Sequence, residues 1–300
     1  TYFIADIAAN HDGSLSRAKD LIWLAKEAGA DCAKFQHFIA NKIVSDFGFR
    51  KITDDTSHQS KWKKSVYDTY DQYHTRREWT DELVKTCQQA DIEFMTTPYD
   101  LESIDMFKDI VPAFKIGSGD ITFFQGVEKI SKAHKPVLLV TGASSMLEVE
   151  RAVDLVLRDN SEICVMQCNT NYTGSDDNLS HINLSVLKSF ERKWPELPLG
   201  LSDHTSGHTT VLGAIALGAR IIEKHFTDNN SRYGPDHGFA MNPETWSRMI
   251  TASRDLESAL GNGVKTVEEN EAKTVIVQRR AIRAATQIEP GKTISASDLD

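Results

Sequence analysis

The sequence has no surplus of positive charge, no paired cysteines and no long apolar run, and each absence removes a class of protein. Its 34 lysines and arginines face 43 aspartates and glutamates, a net charge of −9, whereas nucleic-acid-binding surfaces are usually basic. No nucleic-acid partner is expected, and any anionic substrate needs a local positive site. The four cysteines, Cys32, Cys87, Cys164 and Cys168, contain no CxxC pair and are too sparse for a disulfide scaffold. Reduced thiols are expected. The longest apolar stretches, Pro136 to Val140 and Val211 to Gly218, fall far short of the ~20 residues a membrane span needs. No basic segment followed by an apolar core opens the chain, because Tyr2 to Asn10 already reads as a strand and its turn. Together these absences predict a cytoplasmic protein with no membrane partner. Nor does GxGxxG follow the first β-rich run, which argues against an open dinucleotide-binding sheet.

What is present is a rhythm. Short β-rich runs recur at Phe3–Ala8, Asp31–Gln36, Ile92–Thr96, Ala113–Ile116, Val137–Val140, Ile163–Gln167, Leu199–Ser202 and Arg220–Lys224, each followed by turn residues and an amphipathic stretch. Apolar strands alternating with helices indicate a parallel sheet covered on both faces. Ser145 and Glu148 form a capping-box pattern ahead of Val149, Ala152, Val153 and Val156 at helical spacing. Asn242 and Pro243 supply a cap and a first-turn proline before Trp246, Met249, Ile250 and Ser253, and Gly29 reads as a C-cap. Eight units over about 260 residues suit a (β/α)₈ TIM barrel. We assign 1–262 to the barrel, 263–278 to a linker and 279–300 to the start of a second small β-rich module. The polar segment from Phe38 to Thr75 breaks the rhythm and reads as a long substrate-covering loop.

Barrel active sites lie at the C-terminal ends of the strands, and there the polar residues gather. Strand one leads to Asp6, Asn10 and His11, strand two to Lys34 and Gln36, strand three to Thr97, and strand four to Lys115, Ser118 and Asp120. Strands five to eight lead to Thr141, to Gln167 and Tyr172, to Ser202, Asp203 and His204, and to Glu223 and His225. His204 and His225 end neighbouring strands and are the metal candidates, since imidazole suits Mn, Fe, Co or Zn better than it suits Mg²⁺, which prefers oxygen ligands. Lys34 and Lys115 are the anion candidates, because a lysine buried at a strand end needs a negative neighbour; for Lys115 the alternative to a ligand is an ion pair with Asp120 or Asp6. Gly117-Ser118-Gly119-Asp120 lets backbone N–H groups approach an anion. Asp6, Asp120 and Glu223 are unranked candidates for general acid or base. Cys168 is given no catalytic role.

Five stretches carry a resemblance to the N-acetylneuraminate synthases and their legionaminate and pseudaminate relatives. They are Ile4-Ala-Asp-Ile-Ala-Ala-Asn-His11, Ala33-Lys-Phe-Gln36, Phe114-Lys-Ile-Gly-Ser-Gly-Asp-Ile-Thr122, Gly200-Leu-Ser-Asp-His-Thr205, and Ile222-Glu-Lys-His-Phe-Thr-Asp228 with Gly234-Pro-Asp236. The resemblance implies that His204 and His225 ligate a divalent metal, Mn²⁺ in the usual case with Mg²⁺ or Co²⁺ as alternatives. It implies that Lys34, Lys115, Ser118 and Ser202 hold phosphoenolpyruvate, that Gln36, Tyr172 and Asp236 contact an amino sugar, and that Asp6, Asp120 and Glu223 stand where the family keeps carboxylates. It also implies a homodimer, with Arg280 to Asp300 as the beginning of an antifreeze-like (SAF) domain. Asp6 and Asp120 replace the family's common glutamates, Val140 a serine, and Thr170 and Thr173 an asparagine and a proline. The implied reaction condenses phosphoenolpyruvate with an N-acylated amino-sugar aldehyde such as N-acetylmannosamine and releases phosphate by C–O cleavage. Read from the residues alone, a Schiff-base aldolase using Lys115 or Lys34, or a non-catalytic sugar-acid-binding barrel, stays open.

Overall fold

The computed structural model describes residues 1–51, 59 and 62–300. Among them eight strands form one parallel sheet: β1 (Tyr2–Asp6), β2 (Cys32–His37), β3 (Glu93–Pro98), β4 (Phe114–Ile116), β5 (Val137–Val140), β6 (Ile163–Cys168), β7 (Leu199–Asp203) and β8 (Ala219–His225). Their order is β3-β2-β1-β8-β7-β6-β5-β4, and β3 lies beside β4, so the sheet curls into a nearly closed barrel. The β1 register, Asp6 opposite both Lys34 and His225, brings three of the nominated residues to one level.

Each strand matches its expected run to within two residues. β1 stops earlier than expected, at Asp6, because Ala8 takes a φ of 44° and its N–H turns back to Asp6 Oδ1 at 3.1 Å. A non-glycine residue in that region cannot continue a strand.

The period of two divides the strand residues between two cores. Phe3, Phe35, Phe114, Leu139, Val165, Leu201 and Ile222 face the surrounding helices. Ile4, Cys32, Leu138, Cys164 and Met166 fill the barrel interior as an apolar plug. The helices cover the outer face with the stripes their spacing implies. Helix Met146–Leu157 buries Val149, Ala152, Val153 and Val156, and its Ser145–Glu148 capping box is complete. Each such valine contributes roughly 1.5–3 kcal/mol by leaving water, so a charged residue at Val153 would detach this helix. Helix Pro243–Leu260 buries Trp246, Met249 and Ser253, and Asn242 Oδ1 accepts the Thr245 N–H at 3.0 Å as its cap. Gly29, at a φ of 95°, closes helix Leu15–Glu27.

The segment read as a loop differs from expectation. Its described part carries three short helices, Ala40–Ile43, Asp46–Phe49 and Val66–Tyr73; residues 52–58, 60 and 61 of the expected loop lie outside the described residues. The first two are too short to display a helical period. The chain divides into two compact units, Thr1–Ala259 and Leu260–Asp300. Within the second, the stretch expected as a linker holds helix Ala272–Gln278, and Ala284 bridges Leu299 in antiparallel fashion. Among the described residues no helix is long and apolar enough to cross a membrane.

Candidate active site

One pleat above the apolar plug, the inward positions turn from apolar to charged. Asp6 follows Ile4, Lys34 follows Cys32, and Glu223 follows Ile221, each two residues on. Lys34 Nζ lies 2.7 Å from Asp6 Oδ2 and 3.9 Å from Glu223 Oε2, and it donates to Thr97 Oγ1 at 3.2 Å. Lys115 donates to Glu223 Oε1, and Ser202 Oγ donates to the same oxygen at 3.2 Å. The barrel mouth therefore has a floor of two lysines formally balanced by two carboxylates. The partner of Lys115 is Glu223 rather than Asp120 or Asp6, a pairing across 108 positions that no local spacing reveals.

The environment sets the charge states. Burial pushes the Asp6 carboxyl up, but the surrounding positive groups, Lys34 foremost, outweigh it and hold Asp6 below the usual carboxylate range. Burial pulls the Lys115 ammonium down, yet Glu223 and then Asp6 reverse this and hold it above its ordinary value. Asp120 has no such partner: burial lifts its carboxyl to about 6 against the pull of Lys115, and its Oδ2 is buried without a hydrogen bond. Asp236 is likewise lifted by burial to about 6, although its Oδ2 accepts the Ala9 N–H at 3.2 Å. Two carboxyls poised near neutrality beside a wholly ionised one is the separation acid–base chemistry uses.

Above the floor lies a cavity of about 350 Å³. Asp6, Gln36, Lys115, Ser118, Asp120, Tyr172, Ser202, His204, His225 and Asp236, all nominated from the sequence, line it. Lys34 and Glu223 do not, because each lies beneath the lining and acts through its partner. Gln36 Nε2 donates to Asp6 Oδ2 at 3.0 Å, and Ser118 Oγ accepts the Gly142 N–H at 3.0 Å. Asn10, His11, Thr97, Thr141 and Gln167 stay outside. Thr141 Oγ1 and Gln167 Nε2, for example, donate to the Met166 and Ile182 carbonyls at 2.9 Å each and so tie loops to the scaffold. Burial lifts the Cys168 thiol to about 12, which leaves it protonated and unreactive.

The two histidine rings stand 5.3 Å apart. Burial lowers His204 to about 4, although its contact with the Asn169 carbonyl works the other way, and burial takes His225 well below its ordinary value. Both are neutral at pH 7, the form that ligates metals. His204 Nδ1 lies 3.0 Å from the Asn169 carbonyl, which makes Nδ1 the donor and leaves the lone pair on Nε2. His225 Nδ1 is buried with no hydrogen-bond partner, 3.7 Å from Asp236 Oδ2. Donor chemistry and an orphaned buried nitrogen suit a divalent transition ion. Among the described residues no group of three or more His, Cys, Asp and Glu side chains forms a ligand set.

Other site residues left no readable signal. Phe38, Tyr70 and Tyr99 form an aromatic wall, with Phe38 edge-on to both tyrosines at 5.4 and 5.8 Å. They come from segments without a strong period. Phe239 packs 5.0 Å from the His225 ring. Asp12 binds Arg17, Arg232 and His237 at 3.2, 2.9 and 2.9 Å, pinning the loop that carries Asp236 and Phe239. Asp203 and Lys224 stood beside the nominated histidines, but period two turns them outward, where they form a buried ion pair with Thr205 and Thr210 as further partners of Asp203.

Comparison with known proteins supplies relatives. The NeuB family model matches residues 21–265. An N,N'-diacetyllegionaminic acid synthase of Campylobacter jejuni is 32% identical over 100% of this chain and 89% of its own length. The human N-acetylneuraminate-9-phosphate synthase is 31% identical over 88% of this chain and 72% of its own. A crystal structure of N-acetylneuraminic acid synthetase from Leptospira borgpetersenii, in complex with citrate, superposes with a TM-score of 0.79 at 26% identity, covering 92% of this chain and 90% of that one.

Proposed function

The chain belongs to the NeuB family of sialic-acid-type synthases, and from that premise we propose that it condenses phosphoenolpyruvate with an N-acylated amino-sugar aldehyde to give a nonulosonate and phosphate. The observation that carries the reading is the charged floor of Lys34, Asp6, Glu223 and Lys115 beneath a cavity edged by two neutral histidines.

Lys115, with Ser118 and Ser202, would bind the phosphate and carboxylate of phosphoenolpyruvate, and Lys34 would support them from beneath. A divalent cation, Mn²⁺ by family resemblance with Mg²⁺ or Co²⁺ as alternatives, would be held by His204 and His225 and would supply Lewis-acid polarisation of the aldehyde carbonyl. Gln36, Tyr172 and Asp236 would orient the sugar so that the methylene carbon of phosphoenolpyruvate reaches the aldehyde carbon. Carbon–carbon bond formation leaves positive character at the enol carbon. Asp120, poised near 6, suits the proton transfers that follow, drawing a proton from the water that adds there before phosphate departs with its C–O bond.

A Schiff-base aldolase acting through Lys115 is disfavoured, because Glu223 holds that amine protonated, whereas a nucleophilic lysine needs the free base. The same family reading carries a homodimer and makes Arg280 to Asp300 the start of an antifreeze-like domain. The test is phosphate release from phosphoenolpyruvate with a panel of amino sugars, with Mn²⁺ added or chelated. Release that needs both an aldose and the metal is expected; binding without release would turn the reading to a sugar-acid-binding barrel.

A further inference from the structure

The buried ion pair of Asp203 and Lys224 does not line the cavity, yet each partner immediately precedes a nominated metal ligand, His204 and His225. The two stand directly opposite each other in the β7–β8 register. Two residues earlier the same outward row carries Leu201 opposite Ile222, both packed against the helices. An apolar pair would therefore suit these positions as well. Replacing a buried ion pair by apolar side chains of similar volume is often neutral or stabilising, so stability alone does not account for the charges. What they add is direction, because charge-assisted hydrogen bonds hold particular atoms.

The atoms held are those around His204. His225 is the last residue of β8, lies opposite Asp6 of β1, and its carbonyl accepts the Met241 N–H at 2.8 Å. Its backbone is fixed by the sheet. His204 lies one residue beyond β7, past the last register positions with either neighbour, Cys168 opposite Ser202 and Lys224 opposite Asp203. Lys224 grips the residues on both sides of it: Nζ donates to Asp203 Oδ2, and to the Thr205 carbonyl at 2.7 Å. Asp203 closes the same turn, accepting the Thr205 N–H on Oδ1 at 3.2 Å and the Thr205 hydroxyl on Oδ2 at 2.8 Å. From the helix Thr209–Ala216, Thr210 Oγ1 donates to Oδ2 at 2.7 Å. One ammonium, on the residue before His225, thus clasps the two residues that flank His204.

We propose that Asp203 and Lys224 are positioning residues of the metal site, a proposal that rests on the reading of His204 and His225 as its ligands. The pair ties the turn that carries His204 to the strand that carries His225, and so sets the separation of the two imidazoles, whose ring centroids stand 5.3 Å apart. Ligands held in place before the ion arrives bind it with less ordering cost, and loss of an outer support typically weakens metal affinity about 10–100-fold.

The experiment titrates the full chain with Mn²⁺ alone, following free Mn²⁺ by electron paramagnetic resonance, with urea unfolding measured alongside. Asp203→Asn with Lys224→Met removes both charges and the grip on the Thr205 carbonyl, while an oxygen remains to accept the Thr205 N–H. The Mn²⁺ Kd is expected to rise about 10–100-fold over the parent. Asp203→Asn with Lys224→Gln, a second neutral pair that keeps an amide donor on β8, carries the same expectation should the first not fold. Thr210→Val removes only the contact from the helix, so the unfolding midpoint is expected to fall and the Mn²⁺ Kd to stay at the parent value. A folded double variant that binds Mn²⁺ like the parent overturns the proposal and leaves the metal reading intact. So does a Kd in Thr210→Val that rises as far as in the double variant, because metal affinity would then follow general stability. A parent chain that binds Mn²⁺ no better than His204→Ala overturns the reading of the histidines as ligands, and the proposal with it.

Discussion

Asp120→Asn is expected to make the protein more stable and less active at pH 7. The carboxyl sits just beyond β4, with Oδ2 buried and unpartnered, and burial moves it from 3.8 to about 6 despite Lys115. At about 1.36 kcal/mol per tenfold change in the proton equilibrium, ionisation is about 3 kcal/mol less favourable in the folded chain than in the unfolded one. Below pH 3.8 both states hold the proton and no difference arises. Between pH 3.8 and about 6 the folded state keeps a proton that the unfolded state has released, so stability falls as the pH rises, and the deficit persists above 6. An amide does not titrate and escapes it. Urea unfolding at pH 4, 5, 6 and 7 should therefore show a variant advantage that grows from near zero to as much as about 3 kcal/mol. Phosphate release at pH 7 should fall about 10²–10⁴-fold in the same variant if Asp120 moves the proton. Equal stability at pH 7, or a gap that ignores pH, would refute the burial argument; undiminished turnover would remove Asp120 from the chemistry.

Lys115→Met takes from buried Glu223 its closest cation, leaving Ser202 Oγ at 3.2 Å and Lys34 at 3.9 Å, and a stability loss of up to about 3–5 kcal/mol is expected by chemical denaturation, together with weaker phosphoenolpyruvate binding by calorimetry; Lys115→Met with Glu223→Gln should recover most of the stability and none of the affinity. His204→Ala and His225→Ala should each abolish phosphate release, as should chelation, with the circular dichroism spectrum unchanged, and full activity in either variant would sink the metal assignment. Gly142→Ala places a methyl carbon 2.7 Å from Ser118 Oγ, so the KM for phosphoenolpyruvate should rise several-fold while the KM for the aldose holds. Asp12→Asn weakens the contacts to Arg17, Arg232 and His237 and should raise the aldose KM more than the phosphoenolpyruvate KM, because the loop it pins carries Asp236.

The barrel was legible because a period of two and a period near 3.6 alternate along most of the chain, and strands such as Val137–Val140 are wholly apolar. The rim was legible because inward residues such as Lys34 and Glu223 interrupt apolar runs. Pairing was not: Lys115 and Glu223 are far apart in sequence, and only closure of the barrel makes them neighbours. Nor was the aromatic wall, since Phe38 and Tyr70 belong to a segment of four- and eight-residue helices whose positions are set by packing against the mouth. Asp203 and Lys224 lay within the most informative stretches, yet residue type alone does not separate a charge facing the cavity from one facing the helices.

The balanced floor has a thermodynamic consequence. Because Asp6 and Glu223 already match Lys34 and Lys115, an arriving anion finds no net positive charge to neutralise and leaves the mouth negative unless positive charge enters with it. Binding of such an anion is therefore linked to uptake of protons or a cation, and linkage is reciprocal: whatever factor the cation adds to anion affinity, the anion returns to the cation. A site of this kind fills cooperatively, and neither titration alone reports the affinity of the pair.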